Sequence, residues 1–177
     1  MKFDSLPING PLRITSGYGE RVINDKKEFH KGVDIGRNKE LDVTAILAVK
    51  GGTVFKNLWN NSRGWVIMID HGDGYISLYQ HLREASPLKP NTKVVSGEVI
   101  GVMGSTGFSS GPHLHFELMK DGVVLDPTPY LKALVPHDWA SEYWQKATEK
   151  GIVDGTRPRD PATREEVITI LGRTGAI

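Results

Sequence analysis

No cysteine occurs among the 177 residues of this chain. That excludes disulfides, thiolate metal sites and cysteine nucleophiles together. It leaves the compartment open, because a cysteine-free protein tolerates oxidising and reducing surroundings alike. An excess of one charge is also missing: 22 basic side chains meet 21 acidic ones, for a net charge of +1. Nucleic-acid binders carry a basic face, so no nucleic-acid partner is expected. The same balance gives no electrostatic reason to bind a membrane. No apolar run approaches the ~18 residues of a spanning helix. The opening MKFDSLPINGPLRITS lacks the apolar core of a secretory signal, so synthesis in the cytoplasm without a visible signal peptide is expected. What is present is ordinary for a globular protein, 38% hydrophobic and 24% charged, and long enough for one packed domain plus a small appendage.

Residues 1 to about 134 read as β-rich, with glycines and turn residues between short β-branched runs. Trp65–Ile69 and Tyr75–Tyr79 flank Asp70-His71-Gly72-Asp73-Gly74, a hairpin with a Gly/Asp loop. Further strands are expected at Gly52–Lys56, Val99–Met103, Leu114–Met119 and Val123–Leu125, with a tight turn at Lys120-Asp121-Gly122. No sustained 3.6-residue period intervenes, so the fold class is mainly β: antiparallel sheets in an open sandwich. From Pro136 the character changes. Trp139 to Lys150 is a helix candidate stopped by Gly151, and Thr163-Arg164-Glu165-Glu166 is a capping box before a second apolar run. The division expected is residues 1–134 as the main domain and 136–177 as a helical hairpin, too small to be stable alone and therefore packed on the main domain or on a second copy as a homodimer.

The chemistry lies in the histidines, six in number. His30 and Asp34 are four apart, and on one extended strand they share a face while Val33 and Ile35 point away. His113 and His115 are two apart and share a face in the same way, with Leu114 and Phe116 turned to the core. Two such strands side by side could supply the three N/O ligands of a catalytic zinc site. Each pair alone also fits an exposed strand or a loop. The turn-rich Gly104–Pro112 stretch directly before His113 suits a site wall. His81 closes a strand on which period two puts Ser77, Tyr79 and His81 together. Facing a metal, His81 could steady an oxyanion or move a proton; facing away, it is a surface residue. His71 reads as structural and His137 as idle.

His30-x-x-x-Asp34, Tyr79-Gln80-His81-Leu82 and Gly111-Pro112-His113-Leu114-His115-Phe116-Glu117 resemble the lysostaphin-like (LytM-type) zinc endopeptidases. Ser16-Gly17-Tyr18-Gly19-Glu20-Arg21 is similar to their opening segment, with Tyr18 in place of the usual Phe, and the likeness spans roughly residues 10 to 131. The resemblance implies that His30, Asp34 and His115 hold zinc and that His81 and His113 are the free catalytic histidines. His113 would then act on the attacking water, and His81 on the oxyanion, aided by Tyr79. The implied fold is a central antiparallel sheet with a groove for an extended peptide, and the implied substrate is the peptide part of bacterial peptidoglycan, as stem crosslink or interpeptide bridge. Gly36–Asp42 departs from the family by being longer and polar, so the groove wall is expected to differ.

The tail is similar to a single S-layer homology repeat, carried by Trp139-Ala140, Lys150–Gly155, Pro161–Glu166 and Leu171-Gly172-Arg173. That implies a contact with wall polysaccharide. Together these features resemble a phage or prophage lysin acting at the cell wall. The alternative is a non-catalytic wall-binding or virion structural module on the same fold.

Overall fold

The computed structural model describes residues 1–23 and 25–135. These residues belong to one compact unit, Met1–Val135. The tail from Pro136, with His137 and the expected helical hairpin, lies outside the described residues.

The strands are β1 (Ile14–Ser16), β2 (Gly19–Ile23), β3 (Lys26–His30), β4 (Val33–Gly36), β5 (Ala45–Leu47), β6 (Gly52–Asn60), β7 (Gly64–Asp70), β8 (Tyr75–Leu82), β9 (Lys93–Val94), β10 (Val99–Val102), β11 (His113–Lys120) and β12 (Val123–Leu125), followed by the short helix α1 (Thr128–Lys132). The main sheet runs β1-β4-β11-β8-β7-β6-β9, with β12 on the far end of β11. Every pairing is antiparallel. Two small sheets, β5–β10 and β2–β3, accompany it. The turns are those that the sequence demands: Asp73 and Gly74 have positive φ between β7 and β8, and Asp121 and Gly122 between β11 and β12.

One face of the main sheet makes the core. On β11 the alternation is strict: Leu114, Phe116 and Leu118 are fully buried, opposite Ile35, Tyr79 and Ser77. They pack with Phe3, Ile46, Val49, Ile100 and Leu131. Phe3 and Phe116 meet edge to face at 5.8 Å between ring centroids. Burying one such ring stabilises the fold by about 2–3 kcal/mol. Pleating then sends the intervening residues, His113, His115 and Glu117, to the opposite face. The packing of the core therefore aims the chemistry.

Candidate metal centre

On that opposite face three donor atoms converge. His30 ends β3, Asp34 lies in β4 and His115 in β11, where Asp34 and His115 are directly paired. Asp34 Oδ1 is 2.9 Å from His115 Nδ1 and 3.2 Å from His30 Nε2, and the two ring nitrogens are 3.0 Å apart. Bonds of ~2.0–2.1 Å to a tetrahedral zinc would put neighbouring donors ~3.3 Å apart. The triangle is the right size for such an ion. One detail of the sequence reading is corrected: His30 and Asp34 do not share one strand. Lys31 and Gly32 turn the chain, so that β3 pairs with β2 and β4 with β1 and β11.

The donor atoms are held by their neighbours. His30 Nδ1–H donates to the Gly17 carbonyl at 2.6 Å, and His115 Nε2–H donates to Glu117 Oε1 at 3.1 Å. Each bond anchors its ring and favours the tautomer that would offer the other nitrogen to an ion. Arg21 Nη1 donates to Asp34 Oδ2 at 3.2 Å. Burial alone would raise the Asp34 pKa, but hydrogen bonds from His115 and His30 outweigh it and hold the carboxyl well below the usual carboxylate range. Burial would likewise raise Glu117, and its bonds to His115 and Gln80 pull it down instead. Burial works to lower the His115 pKa, yet Asp34 and Glu117 carry it above the ordinary value. All three directions say that this spot favours positive charge. Two neutral imidazoles and one carboxylate suit zinc chemically as well.

The two further histidines stand beside the triangle. The His81 and His113 rings are 4.7 Å apart, centroid to centroid, and His81 lies 6.1 Å from His115. His113 Nδ1–H donates to the Gly111 carbonyl at 2.8 Å, which leaves Nε2 free, 3.8 Å from Asp34 Oδ1. His81 Nδ1–H donates to the Thr106 carbonyl at 2.7 Å. The Gly104–Pro112 loop thus does wall the site. It can approach because Gly64 and Gly107 touch: a Cβ at Gly107 would lie 2.3 Å from the Gly64 nitrogen.

His81 reaches this face by an irregularity that simple alternation misses. Ser77 and Tyr79 point into the core, opposite Leu118 and Phe116. Period two would send His81 after them. Instead β8 bulges against β7 between Trp65 and Ile67, and His81 takes φ 62. The expected grouping of Ser77, Tyr79 and His81 is therefore corrected. So is the expected help from Tyr79. Its ring is fully buried, and its hydroxyl accepts from the Val49 N–H at 3.0 Å and from Ser77 at 3.1 Å. Burial drives its pKa far up, against the pull of those two bonds.

His71 is structural: its ring joins the Gly51 carbonyl at 2.9 Å and Ser77 Oγ at 2.7 Å. Asp126 caps the turn into α1 through the Thr128 N–H at 2.8 Å. Three supporting residues carry no role in the sequence reading, although all lie within its motifs: Arg21, Gln80 and Glu117. Glu117 could have been found by extending the period of His113 and His115 by one step. The polar segment after Gly36 also borders the site region, with Arg37 and Asp42 lining a depression shared with Thr106 and Pro112.

The family model for Peptidase family M23 matches residues 28–127. This chain belongs to the M23 peptidase family. The match contains all five histidine and aspartate positions of the site. Among M23-related proteins, stage II sporulation protein Q of Bacillus subtilis is 32% identical over 146 residues, covering 80% of this chain and 50% of the relative. DD-carboxypeptidase/endopeptidase Mpg of Neisseria meningitidis is 37% identical over 117 residues, covering 65% and 26%. The catalytic domain of the peptidase lysostaphin from Staphylococcus simulans superposes with a TM-score of 0.60 at 32% identity, over 68% of this chain and 92% of that one. The chain spans half the length, or less, of these curated M23 relatives.

Proposed function

We propose that this chain is a zinc-dependent endopeptidase that hydrolyses peptide bonds of bacterial peptidoglycan. The observation that carries the reading is the complete set of side chains in working geometry: three donors within 2.9–3.2 Å of one another, and two imidazoles beside them with free Nε2 atoms. The substrate class comes from the name of a relative that is 31% identical over 130 residues, peptidoglycan DD-endopeptidase ShyC of Vibrio cholerae.

His30 Nε2, Asp34 Oδ1 and His115 Nδ1 would hold the ion. Zinc bound there supplies a Lewis acid for the scissile carbonyl and for the attacking water. The rest belongs to the chain. His81 and His113 each accept a proton at Nε2 when neutral and donate from it when charged. Burial lowers the His81 pKa, opposed by its bond to the Thr106 carbonyl and helped by His113. At neutral pH His81 is therefore held neutral and able to accept a proton at Nε2, and His113, with its own Nε2 beside the centre, is the second group that the reaction can use. The sign of the pH dependence follows. A base with a depressed pKa is active above it, so the limb of kcat/KM that His81 controls rises with pH below the ordinary imidazole range.

The finer reading is a phage-type lysin whose residues 136–177 contact wall polysaccharide, and it rests on the likeness of the tail to an S-layer homology repeat. A second reading, a module without hydrolysis, draws on the similarity to stage II sporulation protein Q. The deciding experiment digests purified peptidoglycans of different crosslink type with the zinc-loaded protein and identifies new termini by mass spectrometry. New amine termini that His81→Ala reduces ~100-fold support the enzyme. Tight wall binding with no new termini from any wall would sink it.

A further inference from the structure

The metal centre opens on one side into a shallow cleft lined by Arg13, Arg21, Asp34, Gly36 and His113. Its cations are not equivalent. Arg21 is consumed: it bonds Glu28 at 2.5 Å and Asp34 at 3.2 Å. Arg63, across the centre, stands 3.9 Å from Glu117. The ion pairs of the described residues take up both of these and leave Arg13 out.

The Arg13 backbone is nonetheless held in place. It immediately precedes β1, and its carbonyl accepts the Gly36 N–H at 3.0 Å. Its guanidinium lies against Gly36, where a Cβ would meet Nη2 at 2.0 Å and Cζ at 2.6 Å. Gly36 is in turn the direct strand partner of His113. Only the missing side chain at position 36 lets the guanidinium rest on the cleft floor, one residue pair from a catalytic histidine. On its far side Arg13 borders a second depression with Arg37, Lys39 and Glu40, where the single acid is outnumbered.

The geometry points to Arg13 as a specificity residue that binds a free carboxylate of the substrate beside the scissile amide. A guanidinium presents a planar fork that matches a carboxylate in two parallel hydrogen bonds. Arg21 is shared between Glu28 and Asp34, so the cation on this side that is left without a carboxylate among the described ion pairs is Arg13. The inference rests on the hydrolase reading for its substrate and narrows it. A crosslink whose amine half is an amino acid with its own carboxylate free satisfies Arg13. The interior of an all-glycine bridge has no such group.

The test uses the full chain, loaded with zinc, and two peptides that differ only in the residue giving the scissile amine, with its carboxylate free in one and amidated in the other. The wild type should favour the acid by ~10-fold in kcat/KM, chiefly through KM. Arg13→Gln should bring the ratio close to one, Arg13→Lys should keep part of it, and Gly36→Ala should mimic Arg13→Gln by pushing the guanidinium off the floor. Calorimetry with uncleavable versions of both peptides should show the same discrimination in Kd. Equal treatment of acid and amide by the wild type, or an unchanged ratio in Arg13→Gln, overturns the inference while leaving hydrolysis intact. Absence of cleavage of either peptide, with Arg13-dependent binding of the acid retained, overturns the hydrolase reading and leaves the carboxylate site standing.

Discussion

At the scale of single residues, the site shows a division between atoms that touch the centre and atoms that aim them. Glu117 belongs to the second group: its carboxylate receives His115 Nε2–H and the Gln80 amide, at 3.1 and 2.8 Å. Glu117→Gln can present its amide the wrong way round to His115, and zinc affinity is expected to fall by ~10–100-fold with the fold retained. Competition with a chelator of known affinity measures this; an unchanged affinity would remove Glu117 from the support. His81 carries a different cost. At φ 62 its backbone sits in the left-handed region, which costs a non-glycine residue about 1 kcal/mol or more. Asparagine occupies that region readily. His81→Asn is therefore expected to melt at the wild-type temperature or above it while losing ~100-fold or more in rate. A clear drop in Tm would mean that the His81 ring, not the backbone, dominates the local energetics.

Strands β3, β4, β8 and β11 carry the site residues, and β11 is the most informative. Phe116 and His115 are neighbours in sequence and lie on opposite sides of the sheet. Phe116→Ala should cost about 3–5 kcal/mol of stability, read from denaturant unfolding, whereas His115→Ala should abolish zinc binding at a much smaller cost in the metal-free fold. Equal destabilisation by both would contradict the division of faces. This division was legible in the sequence, because His113-Leu114-His115-Phe116-Glu117 states its period openly. So were the hairpin turns at Asp73-Gly74 and Asp121-Gly122. Two features were hidden for physical reasons. The break at Lys31-Gly32 puts His30 and Asp34 on separate strands, and the four-residue spacing alone does not reveal it. The bulge at His81 depends on how β8 meets β7 across the sheet, a pairing that no local pattern encodes. Tyr79 misled because an amphipathic phenol fits a site face or a core with a hydroxyl partner equally well.

At the scale of the whole molecule, every proposed site residue lies within Met1–Val135. A chain ending at residue 135 should cleave a soluble peptide at a rate close to that of the full chain and bind intact walls less well. Light scattering on both chains would show whether the tail also pairs copies. Loss of soluble-peptide cleavage in a folded truncation would place the tail in the active site. The route by which the centre assembles follows from one pairing already described. Asp34 meets His115 across β4 and β11, 81 residues apart in the chain. A nascent chain thus carries two of its ligands long before the third exists, and closing so large a loop is slow. If that closure follows the folding barrier, zinc cannot hasten the climb and acts only on the descent from the native state. Stopped-flow chevrons with and without zinc should then share a refolding limb and differ in the unfolding limb. The ion would act as a latch on a finished sheet, and a refolding limb accelerated by zinc would show instead that it helps to build one.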